Sequence, residues 1–330
     1  MNREIKKVFI TGGAGYVGAM LTPYLASKGY EVTVYDLMIY GHEVIEEKSN
    51  IKIIKGDIRD IDYLSESLKN HDALIHLACI SNDPSFELNP NLGRSINLKA
   101  FEPMVKCAKD LKIKRFIYAS SSSVYGIKHE KNVSEEMSLE PLTDYSKFKG
   151  DCEKILRNYN SDDFTTTTLR PATVCGYSKR QRLDVVVNIL SSLAYHNRKI
   201  TVFGGKQLRP NIHIKDMVRA YEMFLKAPKD KISNEIFNVG YENQSVDHLG
   251  ETVKRIIGDD VEIISTPTND NRSYHISSKK IKNILGFSAK FTVEDAVEDL
   301  KNAFDNKLLI NPLENEMYYN IKRMQSFKLE

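Results

Sequence analysis

The sequence predicts an α/β fold, a doubly wound parallel sheet with a smaller C-terminal α/β lobe. Three observations predict it. Short apolar or β-branched runs alternate with helical stretches through the first half, a glycine-rich turn follows the first run, and after about Pro171 the alternation loosens with no linker.

The runs are KVFIT (7–11), EVTVYD (31–36), IKIIKGD (51–57), ALIHLA (73–78), RFIYASS (115–121) and TTTTLRP (165–171). Strands of this kind, alternating with helices, build βαβ units whose sheet is covered on both faces. Helical spacing shows in Ile96, Met104, Val105, Ala108 and Leu111. Beyond 171, KITVFG (199–204), NIHI (211–214), EIFNVG (235–240) and EIISTP (262–267) are separated by helices near 215–226, 246–257 and 292–305. The expected division is a first domain over 1–174, with elements near 214–240 returning to it, and a second lobe over 175–330. The pattern assigns no element to the tail 311–330.

Composition narrows the function. The chain has 330 residues, 41% hydrophobic and 28% charged, and its 47 basic and 44 acidic residues leave a net charge of +3. That balance excludes a dedicated nucleic-acid or membrane-surface protein. No stretch reaches the ~20 apolar residues that span a bilayer, and the leading MNREIKK lacks a signal-peptide core. Cys79, Cys107, Cys152 and Cys175 show neither pairing nor metal-ligand spacing. Reduced thiols, a cytoplasmic location and no metal are expected.

The turn Thr11-Gly12-Gly13-Ala14-Gly15-Tyr16-Val17-Gly18 directly follows the first run and opens an amphipathic helix. Glycines at 12, 15 and 18 permit a tight turn, close backbone approach to a pyrophosphate and close helix–strand packing, which makes the fold Rossmann-type. The helix N-terminus adds free N–H groups and a positive dipole end. Asp36 ends the second run, where a carboxylate accepts from a ribose 2′-hydroxyl and repels a 2′-phosphate, so NAD is expected over NADP. Asp57 is placed to reach the adenine amino group or, equally, to cap a helix.

Tyr145 and Lys149 lie four apart on a helix starting near Asp144, on one face. A phenol of ordinary pKa ~10 is a poor base at neutral pH, and a nearby ammonium favours its phenolate. The serine run 120–123 ends the fifth strand, and ligands of open α/β sheets bind beyond the carboxyl ends of strands. A serine there can hydrogen-bond the reacting oxygen and share its proton with Tyr145.

Together these motifs resemble the NAD-dependent epimerase/dehydratase family, extended short-chain dehydrogenases acting on nucleotide sugars, over roughly residues 7–300. His76-Leu77-Ala78-Cys79, Asn97 and the loop Leu169-Arg170-Pro171-Ala172-Thr173-Val174-Cys175-Gly176 match further family segments. The resemblance implies Ser121, Tyr145 and Lys149 as catalytic residues. It implies a cofactor site of Gly12, Gly15, Tyr16, Val17, Gly18, Asp36, Asp57, Ile58, Leu77, Ala78, Tyr145, Lys149 and Pro171. Substrate would meet Ser121, Ser122 and Thr173, with Asn188, Arg209 and Arg272 at its diphosphate. It also implies a homodimer through helices around 94–111 and 144–160, whose Phe101, Val105, Phe148, Ile155 and Leu156 exceed the needs of one face.

Two departures narrow the chemistry. Ser122 and Ser123 stand where the family's 4,6-dehydratases carry an Asp-Glu pair, which speaks against water elimination. The segment Ser81–Pro90 is unlike that of galactose epimerases, so UDP-galactose is not assigned. The expected reaction is oxidation at C4 of a nucleotide-activated hexose or heptose through a 4-keto intermediate, with a net 4-epimerase or 4-dehydrogenase outcome. A 4-ketoreductase is the alternative. A silent NAD-binding regulator would have no use for the Ser121, Tyr145, Lys149 relay.

Overall fold

A computed structural model describes residues 4–130, 132–268 and 273–327. The first six runs form β1 (Lys7–Thr11), β2 (Glu31–Asp36), β3 (Ile51–Lys55), β4 (Ala73–His76), β5 (Arg115–Ala119) and β6 (Thr165–Pro171). Beyond Pro171 come β7 (Thr173–Cys175), β8 (Lys199–Phe203) and β9 (Leu208–His213), then β10 (Glu235–Val239) joins the main sheet before β11 (Glu242–Ser245) and β12 (Glu262–Thr266). The main sheet is parallel throughout, ordered β10-β6-β5-β4-β1-β2-β3. Strand order reverses between β1 and β4, so a crevice opens there at the carboxyl ends.

Side-chain alternation on β1 explains the two covered faces. Val8 and Ile10 join one core with Leu21, Leu25 and Phe224 of the Gly18–Ser27 and Ile214–Lys226 helices. Phe9 points the other way, into a core with Leu64, Phe101, Phe116 and Leu156. Each of these three β1 side chains is fully buried.

That second core corrects the dimer argument. Phe101, Val105, Phe148 and Leu156 are buried inside the subunit, and Ile155 packs against the same cluster. The Phe101–Asp110 and Asp144–Tyr159 helices touch the sheet, each other and neighbouring turns, which uses the apolar surplus internally.

The stretch 96–111 is not one helix. A π-helical turn, Ser95–Lys99, precedes the Phe101–Asp110 helix. The wide turn carries Asn97 inward, where its amide donates to Ile80 O at 2.9 Å and accepts from Ile80 N at 2.8 Å. It pins the chain just past β4.

In the second lobe β8 pairs with β12, and β7, β9 and β11 form a three-stranded sheet. Helices Val186–Asn197, Val246–Ile257 and Val293–Asp305 close over Val187, Ile200, Leu249 and Val297. The unassigned tail contains a 3-10 turn, Glu316–Tyr318, and a helix, Asn320–Phe327, that returns to the first domain. Arg323 Nε donates to Ile39 O at 2.5 Å. Among the described residues no helix is long and apolar enough to cross a membrane.

Candidate active site

The glycine turn is dictated by crowding. Gly12 has φ +75°, and a Cβ there would stand 2.5 Å from the backbone nitrogen of Ala78. A Cβ on Gly18 would meet Gly13 O at 2.5 Å, so the helix start lies against the turn. At Gly15 only Gly12 O comes near, 3.2 Å away, and this glycine opens onto the cavity. No side chain caps the Gly18–Ser27 helix; its Ala19 and Met20 N–H groups donate to Gly15 O and Val17 O, and its positive dipole end meets the glycine turn.

Asp36 closes one end of this region. Its carboxylate accepts from Met38 N at 2.8 Å and Ala14 N at 3.0 Å, while burial pushes its pKa up. A turn packed so tightly on the Leu77–Ala78 backbone that Gly12 admits no side chain, with an acid at the end of β2, fits a dinucleotide.

The Asp144–Tyr159 helix begins with a capping box between Thr143 and Ser146, and Thr143 also donates to Asp83 at 2.5 Å. This start fixes Tyr145 in the first turn and Lys149 one turn later. Lys149 is 5% exposed, its Nζ donates to Ala119 O at 2.7 Å, and it lies 5.8 Å from the Tyr145 ring centre. The Tyr145 phenol is half-buried at the cavity wall, and desolvation is the main cause of its raised pKa. Cys79 and Asp83 add to the rise, whereas Arg182 and the Ser121 hydroxyl favour the phenolate.

Ser121 caps the 3-10 turn Ser122–Tyr125, its Oγ accepting from Ser123 N at 3.1 Å and lying 2.8 Å from Ser123 Oγ. Behind it runs a buried network. Ser120 donates to Glu153, which takes a two-pronged contact from Arg170 at 2.6 and 3.0 Å. Arg170 also donates to Tyr125 Oη at 2.8 Å. The network ties the start of the serine run and Tyr125 just beyond it to β6 and to the helix of Tyr145.

The glycine turn, Asp36, the serine run and the Tyr145–Lys149 pair all face one cavity of about 540 Å³. Gly12, Gly15, Tyr16, Val17, Gly18 and Asp36 line its first end, with Ile58, Leu77 and Ala78 alongside. Ser121, Ser122, Tyr145 and Lys149 line the middle, and Pro171, Thr173 and Arg209 the side toward the second lobe. The Arg209 guanidinium sits 5.7 Å from the Tyr274 ring centre.

Two expected contacts are used otherwise. Asp57 does not line the cavity, and Arg59 holds its carboxylate. Asn188 is fully buried beneath it, accepting from Gly176 N at 3.0 Å and donating to Arg182 O at 2.7 Å and Tyr16 Oη at 3.0 Å. It shapes the β7 loop against the glycine turn. Arg272 lies outside the described residues.

Sequence reasoning missed Tyr40, Ser81, Arg180, Arg182, Asp184 and Asn320, all of which line the cavity. Two arginines within three residues after β7 were a usable charge signal. Asn320 carried none.

Comparison with known proteins identifies the family and the fold. The profile of the NAD dependent epimerase/dehydratase family matches residues 8–240. A UDP-glucose 4-epimerase of Lactobacillus helveticus is 27% identical over 317 residues, covering 88% of this chain and 94% of that protein. A human dTDP-D-glucose 4,6-dehydratase is 28% identical over 316 residues, covering 89% and 88%. In fold, the chain is similar to DesIV, a dTDP-glucose 4,6-dehydratase from Streptomyces venezuelae solved with NAD bound. The TM-score is 0.84 at 20% identity, over 93% of this chain and 100% of that one.

Proposed function

The chain belongs to the NAD dependent epimerase/dehydratase family, and from that premise we propose that it oxidises C4 of a nucleotide-activated sugar without eliminating water. The observation that carries the reading is Tyr145, Lys149 and Ser121 on one wall of a cavity whose other end is the glycine turn.

NAD+ supplies the hydride acceptor and a positive ring charge when bound. The protein supplies the rest. Gly12, Gly15 and the helix start at Gly18 would hold the pyrophosphate, and Asp36 the adenosine ribose. Tyr145 takes the proton of the sugar hydroxyl as the C4–H pair departs as hydride, leaving a 4-keto sugar. Ser121 orients that oxygen, and Arg182 favours the phenolate. Thr173 and Arg209 would meet the substrate from the second lobe, where a guanidinium suits phosphate oxygens.

Relatives include both epimerases and dehydratases, and the acids of this cavity favour the first. Dehydration needs a free acid and base beside the keto sugar. Ser122 and Ser123 are hydroxyls. Asp36 accepts two backbone N–H groups, Asp184 is paired with Arg182 at 2.6 Å, and Asp83 accepts from Thr143.

The test is incubation with UDP-, dTDP- and GDP-sugars, with NADH absorbance followed and the sugar analysed. A C4 epimer without net NADH is the epimerase outcome, and accumulating NADH with a keto sugar the dehydrogenase outcome. A C4-deuterated substrate should slow single-turnover NADH formation in either case. A 4-keto-6-deoxy product, lighter than substrate by one water, would sink the proposal.

A further inference from the structure

The C-terminal segment brings Asn320 into the cavity wall, where four separate stretches of chain converge. Asn320 Oδ1 accepts from Tyr40 Oη at 2.9 Å and from Arg180 Nη2 at 2.5 Å. Its Nδ2 donates to Ser81 Oγ at 3.0 Å, and its backbone N–H to Asp184 Oδ2 at 2.8 Å. Asn320 is 5% exposed. One amide thus joins the loops after β2 and β4 to the loop after β7.

What it holds is a buried cation with capacity to spare. Arg180 is 3% exposed, and its guanidinium lies 3.6 Å from the centre of the Tyr40 ring. Its Nε has no hydrogen-bond partner, and the carboxylate that acts on it through space, Asp184, is paired with Arg182. Tyr40, one amide oxygen and the Asp184 charge offset only part of the cost of burying the guanidinium, whose pKa burial still lowers. An orphaned donor on a buried cation calls for an anion.

Position says which anion. Arg180 acts electrostatically on both Asp36 and Tyr16, opposing the rise that burial gives each side chain. Asp36 marks the ribose end of the dinucleotide region and Tyr16 follows the central glycine of the turn. Between ribose and nicotinamide the dinucleotide carries one anionic group, its pyrophosphate.

We propose that Arg180 clamps the cofactor pyrophosphate from the second lobe, seated for that contact by Asn320 of the C-terminal segment. The inference rests on the reading that this cavity takes NAD. Asn320 is then a positioning residue, and the tail is part of the cofactor site. The cofactor is gripped from two lobes, with the glycine turn supplying N–H groups and Arg180 the countercharge.

The experiment is calorimetric titration of the full chain with NAD+, ADP-ribose and adenosine. Arg180→Met should weaken NAD+ and ADP-ribose alike by roughly 10- to 100-fold, the scale of one charge-assisted contact. Arg180→Lys keeps a charge without the fork and should lose less, and Asn320→Ala should cost about 5-fold through Arg180. Adenosine has no phosphate, so its affinity should not change in any variant. If Arg180→Met does not fold, Arg180→Lys and Asn320→Ala carry the comparison. NAD+ affinity within about twofold of wild type in the folded variants overturns the clamp. So does a loss for adenosine equal to that for ADP-ribose. A wild-type chain that binds neither dinucleotide overturns the cofactor reading, and the clamp with it.

Discussion

At the scale of single residues, Tyr145 and His76 show burial acting in opposite senses. Burial raises the Tyr145 phenol, so the residue needs neighbours before it can act as a base. Tyr145→Phe should lower turnover by roughly 10²-fold or more, the scale of lost proton transfer, with NAD+ affinity in calorimetry nearly unchanged. His76 is pushed down to about 3 by burial, with the Lys149 charge adding to it. Its Nδ1 lies 2.7 Å from Thr11 Oγ1 and its ring stacks on Tyr118, so it serves as a neutral brace between β1 and β4. Because the folded value lies below the ordinary ~6.5, the unfolded chain binds a proton that the native one refuses. Stability from this group is complete above pH 6.5 and declines toward pH 3, by about 1.4 kcal/mol per unit. Between pH 7 and 5, wild type should therefore lose about 2 kcal/mol more than His76→Gln in denaturant unfolding. Equal losses would mean that His76 titrates normally.

At the scale of elements, two devices hold the reacting groups in register. The glycine turn is one. At Gly12 an added methyl would meet the Ala78 backbone, which cannot yield as a side-chain end would, and the φ of +75° strains any L-residue. Gly12→Ala should cost on the order of 1–3 kcal/mol from the backbone conformation alone and abolish measurable NAD+ binding. Near-normal affinity in calorimetry would show that the turn tolerates a shift. The other device is the pair Glu153–Arg170, each side chain 3% exposed, which links the helix of Tyr145 to β6 and, through Ser120, to the serine run. Glu153→Ala leaves a buried guanidinium uncompensated and should destabilise by about 3–5 kcal/mol in urea unfolding. Replacing both partners, Glu153→Leu with Arg170→Met, should recover most of that.

At the scale of the molecule, the cavity takes its walls from both lobes, so ligand binding should stabilise the whole chain. With NAD+ at about 100 times its Kd, unfolding gains about 2.7 kcal/mol, a rise in Tm on the order of 5 °C for a chain of this size. No shift at saturating NAD+ would mean that binding does not depend on the folded cleft.

The main parallel sheet was legible in the sequence because its signals are local. Strand alternation, the glycine triad, the acid ending β2 and the Tyr145–Lys149 spacing are each read over a few neighbouring residues, and β2 and β6 take the bounds that their runs suggest. The helix of Asn97 was legible as a period but not as a π-turn, since the distortion depends on an amide meeting Ile80 across space. Tertiary structure alone decided the rest. It turned the apolar surplus of Phe101, Val105, Phe148 and Leu156 into internal core, because the sheet and a second helix cover more than one face. It made Asn188 a buried brace and engaged Asp57 with Arg59. It also carried Asn320 to Ser81, 239 residues away, which no local pattern encodes because contacts at that separation depend on how the whole chain closes.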